Sequence, residues 1–159
     1  MPPIQTPKKK TIMIRLFTIG FTEKTAATFF TLLKTAGVRK IIDTRLNNVS
    51  QLAGFAKGKD LEYFAKEIGD MGYEHNINLA PTKELLSSYR DKTINWAQYE
   101  TEYIDLLDKR NVIQEMDFNH LNDSCLLCSE HKPERCHRRL LAEYLQGENK
   151  EIEIIHLIE

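Results

Sequence analysis

Three cysteines, two histidines, two glutamates and three arginines share the fifteen residues from Cys125 to Arg139, CLLCSEHKPERCHRR. Thiols, imidazoles, carboxylates and guanidiniums packed this densely supply metal ligands, a nucleophile with a base, or an anion grip. Zinc or iron is the first chemistry to consider, because Cys125, Cys128, Cys136 and His137 are four ligands of the kinds zinc accepts. Leu126 and Leu127 oppose the full set. They make the dipeptide between the first two cysteines a buried strand, on which residues three apart face opposite sides and lie roughly 10 Å apart. Cys125 is then a core residue, and a three-ligand site of Cys128, Cys136 and His137, completed by Asp43 or His75, stays open.

Thiol and acid-base chemistry is the second reading. Pro133 suits the first position of a helix, which would set Cys136 and His137 near the positive end of its dipole, where thiols ionise more readily and anions gather. Cys128, at the end of a strand, has the placement of a nucleophile, with His137 as base and Glu130 carrying a proton or holding an arginine. Arg135, Arg138 and Arg139 at a helix start match phosphate or carboxylate.

A second group stands about eighty positions earlier, where Asp43 closes an apolar run and Arg45 leaves the same side of an extended chain. The two form an ion pair, or Asp43 orients an arginine of the later cluster. The loop that follows is long and rich in amides and hydroxyls, which makes Asn47, Asn48, Ser50 and Gln51 candidates for ligand binding. Phe55 in that loop is expected to plug the core. There is no Gly-x-Gly-x-x-Gly loop and no Walker pattern, so nucleotide hydrolysis of the Walker type is not expected.

Alternating strands and helices must position these groups. Strands are expected over 13–19, 40–45, 73–79, 124–128 and 152–157, and helices over 23–36, 60–71, 81–90, 96–110 and 133–146. Ala26, Phe29, Phe30 and Leu33 follow the spacing of a helix resting on a sheet, with Gly37 as its cap. Leu61, Phe64, Ala65 and Ile68 do the same, and Trp96, Tyr99, Tyr103, Leu106 and Leu107 form a third stripe. Parallel strands joined by helical crossovers give a single three-layer α/β sandwich with a mainly parallel sheet of about five strands. Ligands of such sheets gather beyond the carboxyl ends of the strands, so Asp43, Arg45, Cys128 and Glu130 should share one cleft.

The chain has 159 residues, 42% hydrophobic and 28% charged, enough for one domain over 12–159 after a disordered, proline- and lysine-bearing tail over 1–11. Met13 offers an alternative start. A net charge of -1 argues against coating nucleic acid or an anionic membrane by bulk electrostatics. No apolar run reaches the length of about eighteen residues that a membrane span requires, and the amino end lacks a secretory core. Three clustered cysteines do not make a secreted disulfide framework, so a cytoplasmic protein is expected.

Phe17-Thr18-Ile19-Gly20, Ile42-Asp43-Thr44-Arg45, and the run from Leu127-Cys128-Ser129-Glu130 to Cys136-His137-Arg138 resemble the bacterial and archaeal family named domain of unknown function 488. Similarity is greatest to a branch carrying RLNNVSQLAGF, LAPT and the extra Cys125. Phe21 and Asn48 replace a histidine and a proline common in other members, so roles at those positions do not transfer. The resemblance implies a small α/β fold and a polar site of Asp43, Arg45, Cys128, Glu130, Cys136, His137 and Arg138, without choosing a reaction.

The expectation is therefore a cleft that binds or processes an anionic ligand, a phosphate-bearing nucleotide or nucleic-acid end. Arg45 and Arg138 would grip it, and Cys128 or His137 would do the chemistry. Two rivals stand beside it: an interaction module stapled by zinc or iron through Cys128, Cys136 and His137, and a thiol or sulfur-transfer protein.

Overall fold

A strand covered by helices on both faces shows no polar alternation, and Ser124–Cys128 is buried at all five positions. It is β4, the middle strand of one parallel sheet in the computed structural model, which describes residues 3–4, 13–49, 53–130 and 132–159. The others are β1 (Ile14–Gly20), β2 (Lys40–Asp43), β3 (Gly72–His75) and β5 (Ile152–His156), in the order β3-β2-β4-β1-β5. All four pairings are parallel, so each carboxyl end points to the same rim. Helices α1 (Ala26–Ala36), α2 (Gly58–Gly69), α3 (Lys83–Arg90), α4 (Trp96–Lys109), α5 (Val112–Glu115) and α6 (His137–Glu148) make the connections.

Side chains of successive strand residues go to opposite faces, and the two cores divide accordingly. Leu16, Ile42 and Leu126 meet Tyr99, Tyr103, Leu107 and Leu141 on one side. Phe17, Ile19, Ile41, Cys125 and Leu127 meet Phe29, Leu33, Leu61 and Ala65 on the other. The α/β sandwich read from the sequence is thus the observed architecture. Among the described residues, no helix is long and apolar enough to cross a membrane.

Element ends differ from the expected ones for local reasons. β3 stops at His75 because the Asn76 side chain accepts the amide hydrogen of Asn78 and turns Ile77–Leu79 into a 3-10 helix. The first helix starts at Ala26 because Thr25 caps it, accepting from the Thr28 amide. The most consequential shift is in α6, which begins at His137. Cys136 is its extended N-cap residue (φ -135°, ψ 140°), and a turn closed by the Cys136 amide on the Pro133 carbonyl (3.2 Å) occupies the stretch expected to be the first helical turn. The expected tail lies outside the described residues apart from 3–4, as do Ser50 and Gln51.

Candidate functional site

Asp43 of β2 pairs with Leu127 of β4, and the Thr44 amide donates to the Leu127 carbonyl at 3.0 Å. The two chemical groups of the sequence therefore meet at one sheet rim. A cleft of about 500 Å³ opens there, lined by Arg45, Asn47, Cys128, Glu130, Arg135, Cys136 and His137, with Lys83, Tyr89, Arg90, Trp96 and Tyr99 on the facing wall.

Asp43 and Arg45 are an internal device. Arg45 Nε and Nη2 grip the two carboxylate oxygens at 2.8 and 2.7 Å, and the Arg45 amide and the Tyr73 hydroxyl add donors at 3.1 and 2.7 Å. Burial, followed by this bond to Asp43, raises the Tyr73 hydroxyl to about 12. Asp43 is fully buried, its oxygens are taken, and it does not line the cleft. Arg45 Nη2 also reaches the Ala56 carbonyl at 2.6 Å, and its guanidinium lies over the Phe21 ring at 5.1 Å. Its Nη1 is buried without a hydrogen-bond partner among the described residues. The pair holds the Arg45 guanidinium in a fixed orientation at the cleft wall.

His137 is buried and neutral. Desolvation brings it down from 6.5 to about 4, opposed by its bond to the Thr44 backbone. Its Nε2 lies 2.9 Å from the Thr44 carbonyl, which only accepts, so Nε2 carries the hydrogen. The Thr44 hydroxyl spends its proton on the Leu127 carbonyl at 2.8 Å and takes the second branch from Nε2 at 3.0 Å. Nδ1 is consequently the basic nitrogen.

Cys128 and Cys136 are joined as a disulfide, while Cys125 is a free, fully buried thiol that burial pushes well above the usual thiol range. Cys125 is the core residue expected of it. Donor atoms of Cys128, Cys136 and His137 lie within 4.8 Å of one another, so the three residues converge. With both sulfurs bonded to each other they are not available as metal ligands. The expected completing ligands are absent from this group: Asp43 is saturated, and His75 Nε2 bonds the Arg45 carbonyl at 2.7 Å.

Arg138 departs most from expectation. It is fully buried, does not line the cleft, and directs Nη1 at Cys128 Sγ (3.1 Å) and the Glu130 carbonyl. Burial lowers it to about 10. A Cβ at Gly20 would stand 1.5 Å from the Glu130 oxygen and 2.8 Å from Arg138 Nη1, so only glycine lets β1 pass under this loop. Arg138 holds the loop and the sulfur in place. Asn48 likewise works inward: its side-chain Nδ2 donates to the Tyr73 hydroxyl at 3.1 Å, and its backbone carbonyl receives the Gly58 amide at 2.8 Å. Phe55 packs on Phe29, with ring centres 5.2 Å apart, as the expected plug. Arg139 is a surface pair with Glu143 at 3.0 Å.

Lys83, Tyr89, Arg90, Trp96 and Tyr99 are among the cleft residues that sequence reasoning did not place in the site. The available signal was Trp96, the only tryptophan of the chain, at the exposed start of a helix.

Fold and site define an α/β protein with a parallel sheet and a polar cleft at the carboxyl rim of its strands. The family model described as Domain of unknown function DUF488 matches residues 25–145, and the chain belongs to that family. No curated protein and no solved structure matches it.

Proposed function

We propose that this cleft binds or processes a phosphate-bearing anion, in the class of a nucleotide or nucleic-acid end, in the cytoplasm. One observation carries the reading. Six of the eight arginines engage a carboxylate, a carbonyl or a sulfur: Arg15 and Arg39 with Asp123, Arg45 with Asp43, Arg110 with three carbonyls, Arg138 with Cys128 and Glu130, Arg139 with Glu143. The two whose side chains have no such partner among the described residues, Arg90 and Arg135, both line the cleft. Lys83 joins them, and Glu130 is the one carboxylate on the wall. Unpaired guanidiniums around one concavity are matched by an oxyanion with two-pronged geometry.

In this reading Arg90, Arg135 and Lys83 capture the anion, and Arg45, fixed by Asp43, orients it. Neutral His137 accepts a proton at Nδ1. An external dithiol that reduces the Cys128–Cys136 bond, itself becoming a disulfide, would leave Cys128 as a thiol beside the Arg138 guanidinium, which favours its thiolate. Calorimetric titration with pyrophosphate tests the grip. Arg90→Ala and Arg135→Ala should each weaken binding about tenfold or more at an unchanged melting temperature, and undiminished binding in both rejects the reading.

A second reading, zinc or iron held by Cys128, Cys136 and His137, is favoured by the convergence of their donor atoms and by the Nε2 bond to Thr44, which leaves Nδ1 for an ion. It requires both thiols reduced. Elemental analysis of protein purified under reductant decides it: a stoichiometric metal lost in Cys128→Ser supports this reading, and metal-free protein removes it. Sulfur transfer would need Cys128 to cycle through reduced forms, and an ordinary thiol pKa in pH-dependent alkylation would count against that role.

A further inference from the structure

The wall facing the sulfurs is aromatic, and its rings are ordered from core to cleft. Tyr103 is fully buried and anchored by its hydroxyl on the Leu79 carbonyl at 2.6 Å. Tyr99, 3% exposed, lies nearly parallel to it at 6.3 Å and 17°. Trp96 continues the series on Tyr99 at 5.1 Å and 16°, and is the partly exposed outer member. Tyr89 meets Trp96 edge-on at 5.6 Å and 60°. A ring stack rooted in the core and ending at a cavity is a rigid platform that loses little entropy when one more ring joins it. Arg90 directly follows Tyr89 at the end of α3, so an unpaired cation borders the platform.

Resting on the anion reading above, we infer that the ligand is a free nucleotide: its base extends the stack at Trp96 and Tyr89, and its phosphate lies among Arg90, Lys83 and Arg135. A strand would need basic groups tracking its backbone beyond one nucleotide. Among the described residues the arginines without a partner, Arg90 and Arg135, both line this cleft, and the pocket that Arg135 also borders holds three glutamates, Glu23, Glu130 and Glu134, beside Lys132, so no basic track leads away from it. The chain carries a net charge of -1, and about 500 Å³ is the scale of a small-ligand pocket.

Matched probes separate the two halves of the claim. Adenosine 5′-monophosphate and ribose 5-phosphate carry the same phosphate and differ in the base. By calorimetry the former should bind about 5- to 150-fold more tightly, the range of one base on an aromatic platform. Trp96→Ala should erase that advantage while leaving ribose 5-phosphate affinity intact, and Trp96→Phe should keep most of it. Emission of Trp96, the only tryptophan, should be quenched by the nucleotide alone in the unmodified chain, a readout that survives if Trp96→Ala fails to fold. Equal affinities for the two probes overturn the base platform and leave the anion reading standing. Binding of neither overturns both, and an unphosphorylated oligodeoxyadenylate that binds more tightly than the mononucleotide overturns the choice of a free nucleotide.

Discussion

Acid should unfold this protein in part through one imidazole, and His137→Gln isolates the effect. In the unfolded chain His137 titrates near its ordinary value of 6.5, whereas in the fold burial holds it at about 4. Between those values the unfolded state binds a proton that the folded state refuses, so stability falls as pH drops through that window. The full gap corresponds to roughly 3 kcal/mol, of which about 2 kcal/mol is lost between pH 7 and pH 5. Glutamine places its Nε2 where the imidazole Nε2 stands and keeps a donor for the Thr44 carbonyl, but it does not titrate. Urea denaturation of both proteins at pH 7, 6 and 5 gives the two stability curves. His156 is also lowered, by burial and then by Arg138, but it is present in both proteins and cancels in the difference. The unmodified chain should lose about 2 kcal/mol more than the variant over this range. Parallel curves would mean that His137 is hydrated or charged in the fold, and its assignment as a neutral base would fall.

Asp43→Asn leaves the buried Arg45 cation without its counter-charge and should cost about 3–5 kcal/mol in urea denaturation; a variant as stable as the parent would show that the pair is solvated. Arg138→Ala should lower the melting temperature clearly, because the Glu130 carbonyl loses its buried donor, while Arg135→Ala, an exposed change, stays within about 0.5 kcal/mol. The reverse order would place Arg138 in solvent. Thiol titration without reductant should find no reactive thiol in the native protein, one after unfolding (Cys125) and three after reduction; three after unfolding alone would mean that Cys128 and Cys136 are not paired.

The meeting of Asp43 with Cys128 was legible because it follows from chain logic. Apolar runs buried on both faces force parallel neighbours, and parallel neighbours present their carboxyl ends together. Which side chain of a run faces the cleft was much less legible. His137 and Arg138 are adjacent, equally polar, and about 100° apart around α6, so one enters the cleft and the other is driven under β1. The choice is made by the loop before the helix. That loop is positioned by the Thr22 amide on the Ser129 carbonyl (3.1 Å) and by the bare Gly20 surface, two contacts more than a hundred residues distant in the chain. No local pattern around Cys136 encodes them.

The aromatic wall escaped for a related reason. A stripe of Trp96, Tyr99, Tyr103 and Leu107 reads as one core face, and for Tyr99, Tyr103 and Leu107 it is one. A sheet has finite depth, however, and a helix that starts beyond its rim carries its first stripe member past the covered area. Trp96, the first residue of α4, stands at that overhang and so faces the cleft with its inner neighbours as backing. The same geometry leaves Arg90 without a carboxylate partner among the described residues. It closes α3 at the rim, where the strand ends offer a sulfur pair, a neutral imidazole, an arginine already bound to Asp43 and the single carboxylate of Glu130. An unpaired cation in that setting costs little only while it faces water, and it can take an oxyanion without first breaking an ion pair. The cleft therefore keeps its charge for a ligand because the acids nearest to it are either committed, as Asp43 is, or outnumbered, as Glu130 is.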